Sequence, residues 1–308
     1  MTGGRYLLAV SLLLMTSAAF AQSAPAPQIE EVIVTAPRLS AEIKSFVQSY
    51  IKPSLSGTPV LTRWKKAICP AVFGFSRQQD NDFVTSRVRQ IAQKVGAPIA
   101  APPCTANIHI YFAAKPQELL DRIRENGGSR LLSSTPSQAK RVAVFDHAIQ
   151  AWYATETRDE HNGSLTFDDN DDNGWSGCIC DIGPPPSGPG VRVMDFDPVR
   201  AGVRSELMHV YVIADINQTQ GQPFTAVADY IAMLSLSEIR VSQSCQPLPS
   251  ITNLVFPDCG DGLRPVEMTD MDLAYLKGVY SVDPGEALRT QQDDIAAGIE
   301  KALEANQP

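Results

Sequence analysis

The chain has 308 residues, 34 acidic against 26 basic, for a net charge of −8. That length is near the upper size for one hydrophobic core. The acid excess argues against nucleic acid and anionic lipid as partners, because both need a basic surface.

Arg5 and the amino terminus precede an apolar run, Leu7 to Met15, and Ala19-Phe20-Ala21 offers a small-x-small cleavage site before Gln22. This pattern predicts a secretory signal over residues 1–21. The run is too short to span a bilayer, and no later stretch reads as a transmembrane segment. The expectation is an exported protein, periplasmic or secreted, of a Gram-negative bacterium. Six cysteines in such a chain predict disulfides, although the count alone leaves many pairings open. We expect Cys245–Cys259, whose loop is worth about 3 kcal/mol in the chain-entropy view, and then Cys69–Cys104. Cys178 and Cys180 remain as a Cys-Ile-Cys in a Gly/Pro-rich loop. They are expected as a structural bridge, with redox or metal chemistry as the alternative.

Residues 22–38 read as a flexible leader, a Pro/Ala tether followed by IEEVIVTAPR from Ile29 to Arg38. The latter resembles the TonB box near the start of outer-membrane receptors. Glu31, Val32, Ile33, Val34 and Thr35 favour extended backbone, so the segment is a candidate to add a strand to a TonB-type domain. The plainer reading is an edge strand or simple leader.

Helical spacing is seen at Ile43, Phe46, Val47 and Tyr50, and again at Phe83, Val84, Val88, Ile91 and Val95 before Gly96. Between them Arg63 to Phe75 is apolar and broken by Pro70 and Gly74. Asn107 to Phe112 alternates as a strand, and Lys115 to Glu125 follows as a helix. Val142–Phe145, Ile149–Tyr153 and Met208–Asp215 are expected strands, while Thr157–Gly190 reads as a long irregular loop. Pro223 to Arg240 is apolar on every side, which predicts a buried central helix with Pro223 at its first position. Its one mid-helix charge, Asp229, stands beside Tyr230. Thr269 and Asp272 form a capping-box pattern for a helix over Met268–Tyr280, with Met268 stapled to Leu273. A last helix opens at Asp283-Pro284 and carries Leu288, Ile295, Ile299 and Leu303.

The four histidines, His109, His147, His161 and His209, lack the spacing of a zinc peptidase. His109 and His209 are expected on outward sheet positions. Asp169, Asp171 and Asn173, followed by Gly174, match the first half of an EF-hand loop but lack its bidentate Glu. They read as a solvated acidic turn or a weak calcium site. No G-x-S-x-G elbow is present. Asp229 is either a perturbed functional carboxylate or a hydrogen-bonded structural one.

Three stretches, RWKKAICPAVFGF, CTANIHIYFAAKPQELLDRI and ADYIAMLSLSEI, look like those of an exported proteobacterial family without assigned activity. The second half resembles a degenerate zincin-type metallopeptidase. There a strand like Met208–Asp215 precedes the metal-site helix, and a segment like MTDMDLAYLKGVYSVD (Met268 to Asp283) follows it. The resemblance implies a zincin-like scaffold but no catalytic residue, because the helix reads Ala228-Asp229-Tyr230-Ile231-Ala232-Met233 where the imidazole pair should stand. A pseudo-metallopeptidase without a cofactor is the expectation.

The expected architecture is therefore α+β. One domain over residues 39–283 has a mixed sheet packed against a buried central helix, zincin-like in its second half, and a C-terminal helix over 284–308 completes the chain. The expected function is a non-catalytic partner-binding protein of the cell envelope. The alternatives are a hydrolase with a non-standard site near Asp229 and the Thr157–Gly190 loop, or a weak calcium-binding module.

Overall fold

Alternation of apolar residues builds the sheet of this computed structural model, which describes residues 36–51, 60–125, 143–159, 164–167, 203–239 and 244–305. In chain order the elements are α1 (Ala36–Tyr50), β1 (Thr62–Arg63), β2 (Pro70–Phe73), α2 (Gln78–Val95), β3 (Ile108–Ala113) and α3 (Pro116–Ile123). Next come β4 (Ile149–Asp159), β5 (Ser164–Phe167), β6 (Val203–Asp215) and the short α4 (Ile216–Thr219). The chain closes with α5 (Phe224–Leu236), α6 (Asp270–Ser281) and α7 (Leu288–Ala305). The class is α+β, as the sequence predicts. The sheet is mixed, in the order β2-β3-β6-β4-β5, with β1 paired to the start of β6. Strands β1, β2, β3 and β6 run parallel, and β4 is antiparallel to both β6 and β5.

Burial along β3 follows a strict period of two. Ile108, Ile110 and Phe112 join Val210, Val212 and Ala214 of β6 in the main core. On the other face Tyr211, Ile213 and Trp152 pack with Leu120 of α3 in a smaller cluster. Helix α5 lies against the first face, and every residue from Ala226 to Leu236 in it is buried. Pro223 is its N-cap rather than its first helical residue. Helix α2 buries Val84, Val88, Ile91 and Val95 and ends at Gly96, whose left-handed φ of 81° closes the C-terminus. Phe83, expected in that stripe, is instead 39 % exposed and stacks on Phe224 with ring centroids 5.1 Å apart. Helix α6 begins with the predicted capping box of Thr269 and Asp272. Helix α7 places Ile295, Ala296 and Ile299 in the main core, and residues 36–308 form one compact unit.

A helix as deeply buried as α5 must satisfy its last carbonyls without water. Three side chains from three places do this. Trp64 Nε1 donates to Ser235 O at 2.8 Å, Tyr153 OH to Leu234 O at 3.0 Å, and Tyr280 OH to Leu236 O at 2.5 Å. The aromatic bodies fill the core while their polar tips cap the helix.

Several expected elements differ, and the last helix, expected to open at Asp283-Pro284, begins at Leu288. No strand forms at residues 143–145, because side-chain amides take the backbone groups. Gln117 bonds Ala143 O and Phe145 N, and Gln150 bonds Val144 O and Asp146 N. An irregular stretch is expected from Thr157, whereas β4 continues to Asp159 and pairs with β5. Strand β6 starts at Val203, with a bulge opposite Ala154/Thr155 that re-sets its alternation between Leu207 and Val210.

Candidate functional site

Asp229 stands in the middle of α5 with no exposed surface. Arg87 of α2 reaches it bidentately, Nε to Oδ1 at 2.5 Å and Nη2 to Oδ2 at 2.8 Å. Met268 N–H donates to Oδ2 at 2.7 Å, just before α6 begins. The Arg87–Asp229 hydrogen bonds raise the arginine pKa above its ordinary value. The carboxylate thus ties α5 to α2 and to the entry of α6. Such a group is positioned and neutralised, with no lone pair directed to an open cleft. Tyr230 is also fully buried, and its hydroxyl has no hydrogen-bond partner among the described residues. Burial pushes its phenol well above the ordinary range.

Asp272 forms a second buried polar knot. It accepts from Ser250 Oγ at 2.6 Å, Ile251 N at 2.9 Å, Thr269 N at 3.0 Å and Thr269 Oγ1 at 2.8 Å. Tyr50 OH joins through Thr252 Oγ1, which bonds Ser250 Oγ. Desolvation raises the Asp272 pKa, with the hydrogen bonds opposing it. This knot fixes α1 and the 251–255 turn to α6.

His109 and His209 do come together, on the sheet face away from α5, with ring centroids 6.1 Å apart. His109 stacks on Tyr211 at 4.6 Å, and Tyr111 extends the row to Phe73 at 5.3 Å. Burial lowers both histidine pKa values, His109 further by His209 and His209 by Lys66. Both are half-buried side chains on that face. Among the described residues no three His, Cys, Asp or Glu side chains gather as metal ligands do.

Two clefts open at the two ends of β6. One, of about 310 Å³, is lined by Asp146, His147, Gln218 and Val255 beside the carboxyl end of β6. There His147 Nδ1 lies 2.5 Å from Asp146 Oδ1. The Asp-His dipeptide was visible in the sequence, but its place at the ends of parallel strands, where α/β sheets bind ligands, was not. The other cleft opens beside β1 and the start of β6, around Lys65, Arg204 and Glu206. The alternation Arg204-x-Glu206 could have flagged one face of a strand, whereas Lys65 arrives only through strand pairing.

Two expected disulfides are formed, Cys69–Cys104 with Cα atoms 6.0 Å apart and Cys245–Cys259 at 5.6 Å. Asp169, Asp171, Asn173, Cys178, Cys180, His161 and the segment Glu31–Thr35 lie outside the described residues. No described helix is long and apolar enough to cross a membrane.

Fold and side chains together define an α+β protein whose central helix is sealed by an ion pair and capped by aromatic hydroxyl and indole groups. No family model, curated protein or solved structure matches the chain.

Proposed function

We propose that this is an exported, non-catalytic protein that binds a partner at the cell envelope, through the leader strand Glu31 to Thr35 added to the sheet of a TonB-type domain. The observation that carries the non-catalytic part is the sealed Asp229, held by Arg87 and Met268 N–H at zero exposure. In the zincin-like reading of the second half, that helix is where the reacting groups would stand. A carboxylate spent on two helices and a backbone amide supports a scaffold whose machinery has been replaced by packing. The two disulfides fit an oxidising compartment, in keeping with export. The test is calorimetric titration of a purified TonB C-terminal domain into the exported protein, with and without residues 22–38. Saturable binding lost on deletion supports the proposal, and equal or absent binding removes the TonB assignment.

A hydrolytic reading retains one specific foothold, which is no longer Asp229. Asp146 can orient the His147 imidazole for proton transfer beside the cleft at the carboxyl end of β6. Hydrolysis of any ester or peptide substrate that His147→Ala abolishes, with thermal stability unchanged, would favour it over the binding reading.

A further inference from the structure

The cleft beside β1 has a volume of about 300 Å³ and carries three cations, Arg63, Lys65 and Arg204, against one carboxylate, Glu206. Its wall includes the aromatic and ring side chains Trp64, Tyr280, Pro98 and Pro284. Glu206 is 4 % exposed. Lys65 Nζ is 3.7 Å from its Oε1, and Arg158 Nε approaches Oε2 at 3.5 Å. Arg158 is balanced by Glu156, whose Oε2 accepts from its Nη2 at 2.6 Å. The lining alone therefore holds an excess of about two positive charges, in a chain whose net charge is −8.

The three cations are not equally satisfied. Arg63 spends Nη1 on Val279 O and Val282 O, both at 2.9 Å, capping the C-terminus of α6. Arg204 Nε lies 3.1 Å from Glu206 Oε1 without hydrogen-bond alignment. Arg204 Nη2 is buried and has no hydrogen-bond partner among the described residues. A buried charged donor left unpaired is costlier than a neutral one, so an acceptor that reaches this fork is favoured. Guanidinium groups match the planar geometry of a carboxylate.

We propose that this cleft binds a small organic anion, a carboxylate with an apolar body. Arg204 and Lys65 take its oxygens, and its body rests against Tyr280, Pro98 and Pro284. The wall decides between carboxylate and phosphate. The C-terminal end of α2 also borders the cleft at Gly96 and brings about half a negative charge. A net positive lining accepts a monoanion or a dianion alike. The apolar wall has no role for inorganic phosphate. The site lies at the amino end of β6, at the opposite end of that strand from the Asp146–His147 cleft.

The test is isothermal titration of the full chain at neutral pH with benzoate and, separately, with inorganic phosphate. Saturable one-to-one benzoate binding is expected, with phosphate about tenfold weaker or more, a difference of about 1.4 kcal/mol. Arg204→Met abolishes benzoate binding. Lys65→Met, at a half-exposed position and with folding checked by thermal melting, weakens it about five- to tenfold. Absence of saturation at millimolar benzoate overturns the proposal. So does tighter binding of phosphate, or undiminished benzoate binding by the Lys65→Met protein.

Discussion

Arg87 and Asp229 join the two helices that pack most intimately on the sheet, with both guanidinium-to-carboxylate distances between 2.5 and 2.8 Å and the carboxylate fully enclosed. Burying a carboxylate costs several kcal/mol, and a single ion pair repays that only when geometry is good and the remaining lone pairs are used. Here the pair is bidentate and Met268 N–H supplies the third bond. The relationship explains why a charge persists in an otherwise apolar helix without any need for chemistry.

The C-terminal caps of α5 predict a graded series. Tyr280→Phe and Tyr153→Phe each delete one hydroxyl and leave a buried carbonyl, of Leu236 or Leu234, without its donor. Each should lower stability by about 1–3 kcal/mol in urea unfolding. Tyr230→Phe should cost much less, because its hydroxyl donates to no described residue.

His109 and His209 make stability depend on pH. Their folded pKa values are depressed, so the unfolded chain binds more protons in the window below about 6.5. Stability is then full above the unfolded value and is lost as pH falls through the folded one. Thermal melts from pH 7.5 down to 5 should show this loss, and His209→Leu should flatten the slope. A slope of opposite sign in the wild type would count against the buried imidazole pair.

Gly74 is where backbone geometry leaves no choice. Its φ is +117°, and a Cβ there would overlap the carbonyl oxygen of Phe112. Gly74→Ala should destabilise by more than about 1 kcal/mol through strain and clash. Gly96→Ala is the control, with a left-handed φ of +81° but open space around the position, and should cost less.

Disulfide removal tests the oxidised fold. Replacing Cys245 and Cys259 by serine should lower stability by about 2–5 kcal/mol. Thermal melting with and without reductant checks it, since reduction of the wild type should reproduce most of the loss.

Much of the fold was legible because single-element signals were strong. The all-apolar run of α5, the capping box at Thr269 and Asp272, the stripe of α2 and the alternation of β3 each specify their own conformation. The structure departs from these signals where partners distant in sequence decide. Gln117 and Gln150 take the backbone groups that would have made a strand of residues 143–145. Phe83 looked like core until Phe224 offered it a surface stack. The polar sites were the least legible. Asp229 could be recognised as a lone buried charge, but its partner Arg87 stands 142 residues away. Arg204, Glu206 and Lys65 meet only because β1 pairs with β6 in parallel register.

Urea unfolding of Asp229→Asn, Arg87→Met and the combined Asp229→Leu, Arg87→Met variant tests the sealed-scaffold account most directly. Each single variant strands a buried group and should lose about 3–5 kcal/mol, while the double variant should recover a large part of that loss. Near-wild-type stability of Asp229→Asn, together with loss of any measurable activity, would contradict a structural role for this carboxylate and restore a catalytic one.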